Sequence, residues 1–264
     1  MSGEMLFGLS EWLIFAILIG LLFLVTEFGF QLGRKGQSKS AEYSRSHVST
    51  LQAASLGLLA LLLGFTFSMS VTRFDTRKQL VLDEANAIGT TYLRAQLLPE
   101  PARTEVSKLL RAYVDVRLEF YQAGVDQGRL QKVDENTERL HKAFWEYAVT
   151  LAGQDPRAIP TGLFVQSLNE VIDLHAKRMT ALENHVPESV LILLCLVAVL
   201  SLCLVGYGAG MGMYRNLFPT LISVILIASV IVLIMDLDRP RRGLIKVSQQ
   251  RMVDLRDSLK RGNL

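Results

Sequence analysis

Apolar residues dominate four stretches of the chain, at about residues 12–30, 51–71, 190–205 and 217–235. Each approaches the roughly 20 residues a helix needs to cross a bilayer, the third when Gly206 and Tyr207 extend it. The pattern changes between the second and third stretches. There Phe74, Val81, Ala85, Ile88 and Tyr92 form one stripe, and Val106, Leu109, Tyr113, Val116 and Phe120 a second. Leu140, Phe144, Tyr147 and Leu151 form a third, and Phe164, Leu168, Val171, His175 and Met179 a fourth. Steps of three and four place each set on one helix face. Breakers separate the stripes: Pro99 and Pro101, then Gly124 to Gly128, then Gly153 to Pro160. Nothing alternates with the period of a strand. The pattern predicts an all-α integral membrane protein: four transmembrane helices with a four-helix soluble bundle inserted between the second and third spans.

The expected organisation is spans one and two in residues 1–71, the bundle in 72–187, spans three and four in 188–236, and a basic tail with a short helix in 237–264. No breaker separates span two from the first bundle stripe, so one helix is expected from residue 51 to about 97, on the order of 70 Å long. The last bundle helix feeds span three, with Pro187 as an expected kink. The first stretch is too long for a signal-peptide core, has acidic Glu4 and Glu11 before it and shows no clear cleavage site, so it reads as a retained span.

Span two carries two kinds of face. Ala53, Gly57, Ala60, Gly64 and Ser68 are small and suit close helix packing, which drives association in lipid. Leu58, Leu62, Phe65 and Met69 are large and apolar. They either meet lipid or a neighbouring span, or form an apolar constriction that gates a pore by dewetting. After span three, GYGAGMGM lacks the preceding strand and the lysine of a phosphate-binding loop, and reads as a tight hairpin between spans. Pro219 suits the first turn of span four. Glu27, near the end of span one, is a functional candidate as a membrane carboxylate, or else takes a snorkelling or paired structural role close to Arg34 and the interface.

Half of the 264 residues are apolar, 20% are charged and the net charge is +3. Residues 72–187 hold 15 Lys+Arg against 16 Asp+Glu, which argues against a nucleic-acid surface. Lys and Arg favour the cytoplasmic side. The face holding the bundle has ten near its span ends, including Arg241 and Arg242, against five on the other, including Lys39. The bundle is therefore expected to be cytoplasmic. The flanks of the first span point the other way.

The four histidines show no metal spacing, and there is no nucleophile elbow or kinase signature, so no enzyme, cofactor or metal site is expected. His175, on an apolar stripe, reads as a hydrogen-bonded core histidine. Asp83 with Glu84, and Asp134 with Glu135, fit solvated helix faces. Cys195 and Cys203 lie too far apart along one helix to bridge, and read as small buried apolar residues.

The run LLGFTFSMSVTRFDTRKQLVLDEANAIGTTYLRAQLLPEPAR and the later MDLDRPRRGLIKVSQQ resemble the bacterial family labelled bestrophin-like. The resemblance covers most of the chain. It implies a relation to bestrophins, pentameric anion or cation channels whose second spans line the pore and continue into a cytosolic helical bundle. By that analogy the protein is a homo-oligomer of the bacterial inner membrane, and Leu58, Leu62, Phe65 and Met69 approach the neck of the pore. The charges Arg73, Asp75 and Arg77 mark the exit of span two, and Asp236, Asp238 and Arg239 the exit of span four. They suit either pairing that fixes the helix ends or a vestibule that concentrates ions. The competing functional class is a non-conducting, membrane-anchored scaffold or stress sensor acting through its bundle.

Overall fold

The structure is a computed structural model that describes residues 11–35, 41–212, 215, 217–240 and 243–262. Glu4, Lys39, Arg241 and Arg242 lie outside the described residues. Eight α-helices account for most of the described chain: α1 (Glu11–Lys35), α2 (Ala41–Ala95), α3 (Ala102–Gln122), α4 (Gln127–Gln154), α5 (Ile159–Glu183), α6 (Glu188–Gly212), α7 (Leu217–Asp238) and α8 (Gln250–Arg261). No described residue is in a strand. Four stretches are long and apolar enough to cross a membrane: Trp12–Lys35, Ser46–Ala95, Ile159–Gly212 and Leu217–Asp238.

The chain divides into two compact units. One holds the described residues up to Thr72 together with His185–Arg239; the other holds Arg73–Asn184 and the described residues from Pro240 onward. α2 is unbroken across the first of these boundaries. Its 55 residues make about 80 Å of helix. It begins ten residues before the apolar run, because Ala41 to Thr50 contain no breaker. At the second boundary Pro187 does more than kink. Residues 184–187 are not helical, and α5 and α6 are separate helices.

In the first unit α1 packs on α6 and α7. Leu22, Leu194, Ala198, Leu202, Val224 and Ile231 are buried in the core. The run GYGAGMGM is not a hairpin. Residues 206–212 of it form the last turns of α6, where absent side chains let two backbones touch. A Cβ on Gly206 would lie 1.9 Å from the Thr26 carbonyl oxygen, and one on Gly210 would lie 2.2 Å from that of Phe30. Across the seam, a Cβ on Gly33 would lie 2.0 Å from the Tyr207 carbonyl oxygen. The contacts advance together along both helices, so α1 and α6 run parallel. Cys195 and Cys203 are free thiols and only partly buried, since the α6 face that packs is the glycine face. Glu27 pairs with Arg215 at 3.1 Å, not with Arg34.

The second unit contains the end of α2, α3, α4, α5 and also α8. Ile88, Leu110, Phe144, Phe164 and Leu168 are almost wholly buried. Each such side chain contributes roughly 1.5–3 kcal/mol by leaving water. Gly124 turns the chain between α3 and α4 with φ of +58°. Asp126 then caps α4, its side chain accepting from the Arg129 N–H at 3.1 Å. The tail helix α8 packs against α3 and buries Met252, Leu255 and Leu259 in the same core, so it is a fifth helix of this unit.

Candidate functional site

Within the first unit α2 presents one face to its own chain. Leu59 and Thr66 are buried on it, and Ser70 is fully buried. Gln52 Nε2 donates to the Leu204 carbonyl at 2.7 Å, and Ser201 Oγ donates to the Ser55 carbonyl at 3.2 Å, so α2 is tied to α6.

The candidate pore residues flank this face, roughly 60–120° round the helix from Leu59. Leu58 is 50% exposed and Phe65 65%, while Leu62 packs partly against the core and Met69 is partly buried. The candidate packing residues Gly57, Ala60, Gly64 and Ser68 lie on the side away from Leu59, and all are exposed. A Cβ built on Gly57 or Gly64 meets nothing within 4 Å. The close helix approach expected of these small residues is absent within the described chain. It occurs instead at Gly29, Gly33, Gly206 and Gly210.

Most of the charges at the span exits are buried or hydrogen-bonded. In the first unit Asp236, Asp238 and Arg239 are buried. Asp238 accepts from the Val186 N–H at 3.1 Å and lies 3.2 Å from His185 Nδ1, so its carboxylate secures the chain just before α6. In the second unit Arg77 donates from Nε to the Ala181 carbonyl at 2.9 Å and from Nη2 to the Asn184 carbonyl at 3.0 Å. Arg73 donates to Asn184 Oδ1. Asp75 is exposed.

A second polar constellation sits inside the second unit. Glu84 is fully buried, not on a solvated face. Its Oε1 accepts from Arg117 Nε at 2.8 Å and its Oε2 from Arg178 Nη1. Arg178 Nη2 donates to Gln249 Oε1 at 3.2 Å, which ties in the segment before α8. Burial alone would raise the Glu84 pKa, but Arg117 and Arg178 outweigh it and hold the carboxyl below its ordinary value. The Tyr113 hydroxyl lies 3.5 Å from Glu84 and 3.2 Å from His141 Nε2. The rings of His141 and His175 meet edge to face at 5.1 Å. His175 Nδ1 has no hydrogen-bond partner among the described residues, so the expected hydrogen-bonded core histidine is a stacked one. Burial, then Arg117 and His141, push its pKa down to about 4. Burial, then Arg117, lower that of His141 as well. No group of three or more His, Cys, Asp or Glu placed to hold a metal occurs among the described residues.

The family model of the Bestrophin-like domain matches residues 14–252. The chain belongs to the Bestrophin-like family. Its bestrophin-like fold is also that of solved structures. A bacterial Bestrophin homolog from Klebsiella pneumoniae superposes with a TM-score of 0.66 at 18% identity, covering 96% of this chain and 98% of that one. A point variant of that homolog gives 0.66 at 17% identity, over 95% and 98%. A structure described as a membrane protein gives 0.69 at 16% identity, over 96% and 99%. A comparison with curated proteins finds no match. The Bestrophin-like chain is thus an all-α membrane protein whose fold it shares with these homologs.

Proposed function

We propose that this Bestrophin-like protein is one subunit of a homo-oligomeric ion channel in the bacterial inner membrane, with α2 lining the pore. The observation that carries the reading is the uncovered face of α2. Leu58 and Phe65 project from it, beside Gly57 and Gly64, which have open space around them. Small residues suit the approach of a neighbouring subunit's helix, and large apolar ones suit a constriction that gates by dewetting. A single chain with four spans has little room for a conduit. Several copies around an axis supply it, five by analogy with bestrophins. Buried Asp238 and Arg77 are given a structural role at the helix ends, and the bundle is placed on the cytoplasmic side.

Native mass spectrometry of the complex in mild detergent tests this reading. A pentamer that conducts in planar bilayers is the expected result. A monomer or simple dimer overturns the pore, and favours a scaffold that acts through its bundle.

A further inference from the structure

Glu84, Arg117 and Arg178 come from three helices and meet with two positive charges against one negative. Arg117 is fully buried, yet only its Nε is engaged by Glu84; Nη1 and Nη2 have no hydrogen-bond partner among the described residues. The nearby titratable groups add no negative charge. Burial, followed by the neighbouring Glu84 charge, pushes the Tyr113 pKa well above its ordinary value, so the phenol stays neutral. His141 and His175 are both held toward their neutral forms. The guanidinium of Arg117 lies over the Phe120 ring, 5.1 Å from its centroid.

That ring also lines a cavity, together with Arg77, Arg178, Gln249, Tyr121 and apolar residues such as Leu182. The centres of water-sized atoms have about 30 Å³ there, room for one or two waters or a single small ion. Arg178 is the member of the cluster that lines this cavity, and water there would leave the excess charge of the cluster uncancelled. An uncompensated charge in an apolar wall is costly, and an ion of opposite sign removes that cost. Guanidinium groups match small anions in geometry and hydrate weakly themselves.

We propose that this cavity beside the Arg117–Glu84–Arg178 cluster is a binding site for one small monovalent anion, of halide or formate size. The anion balances the cluster and braces α2, α3, α5 and the segment before α8 against one another. The site depends on the cluster alone and stands whether or not the protein conducts.

The test uses the full-length protein purified in mild detergent. Sodium gluconate, whose anion is too large for the cavity, is replaced stepwise by sodium bromide or sodium formate at fixed ionic strength. The expected result is a saturable rise of the thermal midpoint by about 3 °C or more. Gln249→Glu places a carboxylate at the cavity, so it should raise the midpoint in gluconate and abolish the response to bromide. An equal midpoint in all three salts overturns the proposal, as does a Gln249→Glu protein that is weakened in gluconate and still responds to bromide. Crystals of the unaltered protein grown in bromide give an independent reading. An anomalous peak in the cavity supports the site, and density of water alone overturns it.

Discussion

The carbonyl oxygen of Cys203 on α6 lies 2.1 Å from where a Cβ on Gly29 of α1 would sit. Backbone meets backbone there, and the obstructing atom cannot swing aside as the tip of a side chain could. Gly29→Ala or Gly206→Ala should therefore cost at least the roughly 1–3 kcal/mol typical of overpacking. Thermal unfolding in detergent should show both variants well below the parent, with Gly20→Ala, which meets nothing, near it.

Gly64 faces open space within its own chain. Gly64→Leu should leave the helix content and thermal midpoint of the subunit nearly unchanged while shifting the assembly toward smaller species. Native mass spectrometry reads that shift. An unaltered oligomer would take Gly64 out of the subunit contact.

Phe65 is the most exposed of the four candidate pore residues. Phe65→Ala should widen a dewetted constriction and raise conductance or leak severalfold in bilayer recordings, with the oligomer intact. Met69→Ala should act in the same direction. Unchanged currents would remove these side chains from the gate.

Glu84 is the carboxylate that joins α2 to both α3 and α5. Glu84→Ala leaves Arg117 and Arg178 facing each other in the core, a loss expected at about 3–5 kcal/mol. Chemical denaturation should register it as a lower midpoint. Glu105→Ala, which removes only an exposed pair with Lys108, should cost about 0–1 kcal/mol.

His175 gives the fold a predictable acid limb. The unfolded chain takes up this proton near the ordinary 6.5, whereas the folded chain holds it off until about pH 4. The contribution of the neutral ring is therefore complete above pH 6.5 and declines as the pH falls from there through 4. Solvent screening at a half-buried side chain keeps it to about 1 kcal/mol. Thermal midpoints between pH 7 and pH 4 should fall less steeply in His175→Gln than in the parent.

The apolar runs and the three-and-four stripes made the spans, the first bundle helices and the unbroken course of α2 beyond its apolar run legible in the sequence, but not its start at Ala41. Core packing answers to periodicity, which one sequence displays. The charged cluster was harder to see because adjacent Asp83 and Glu84 look like a solvated pair. Phase separates them: Arg77, Val81, Glu84 and Ile88 are buried in steps of four, three and four, while Asp83 falls outside that row. Arg117 continues Leu110 and Tyr113 in the same way, and Arg178 continues Val171 and Leu174. The seam also had a sign. Gly29 and Gly33, like Gly206 and Gly210, stand four apart, the spacing of close-packed membrane helices. The small residues of α2 carry the same kind of signal, yet a Cβ on Gly57 or Gly64 meets nothing among the described residues. The burial of α8 had no clear signal, because a short basic helix with four apolar positions looks the same in solvent until its partner is known.

The glycine seam also limits how the membrane unit can rearrange. Thr26, Phe30, Cys203 and Tyr207 all carry side chains, so sliding α1 along α6 by less than a full turn would drive a Cβ into a facing carbonyl. The two helices consequently share one register and travel as a single strut. α2, by contrast, is tied to α6 by the side chains of Gln52 and Ser201, which can change rotamer.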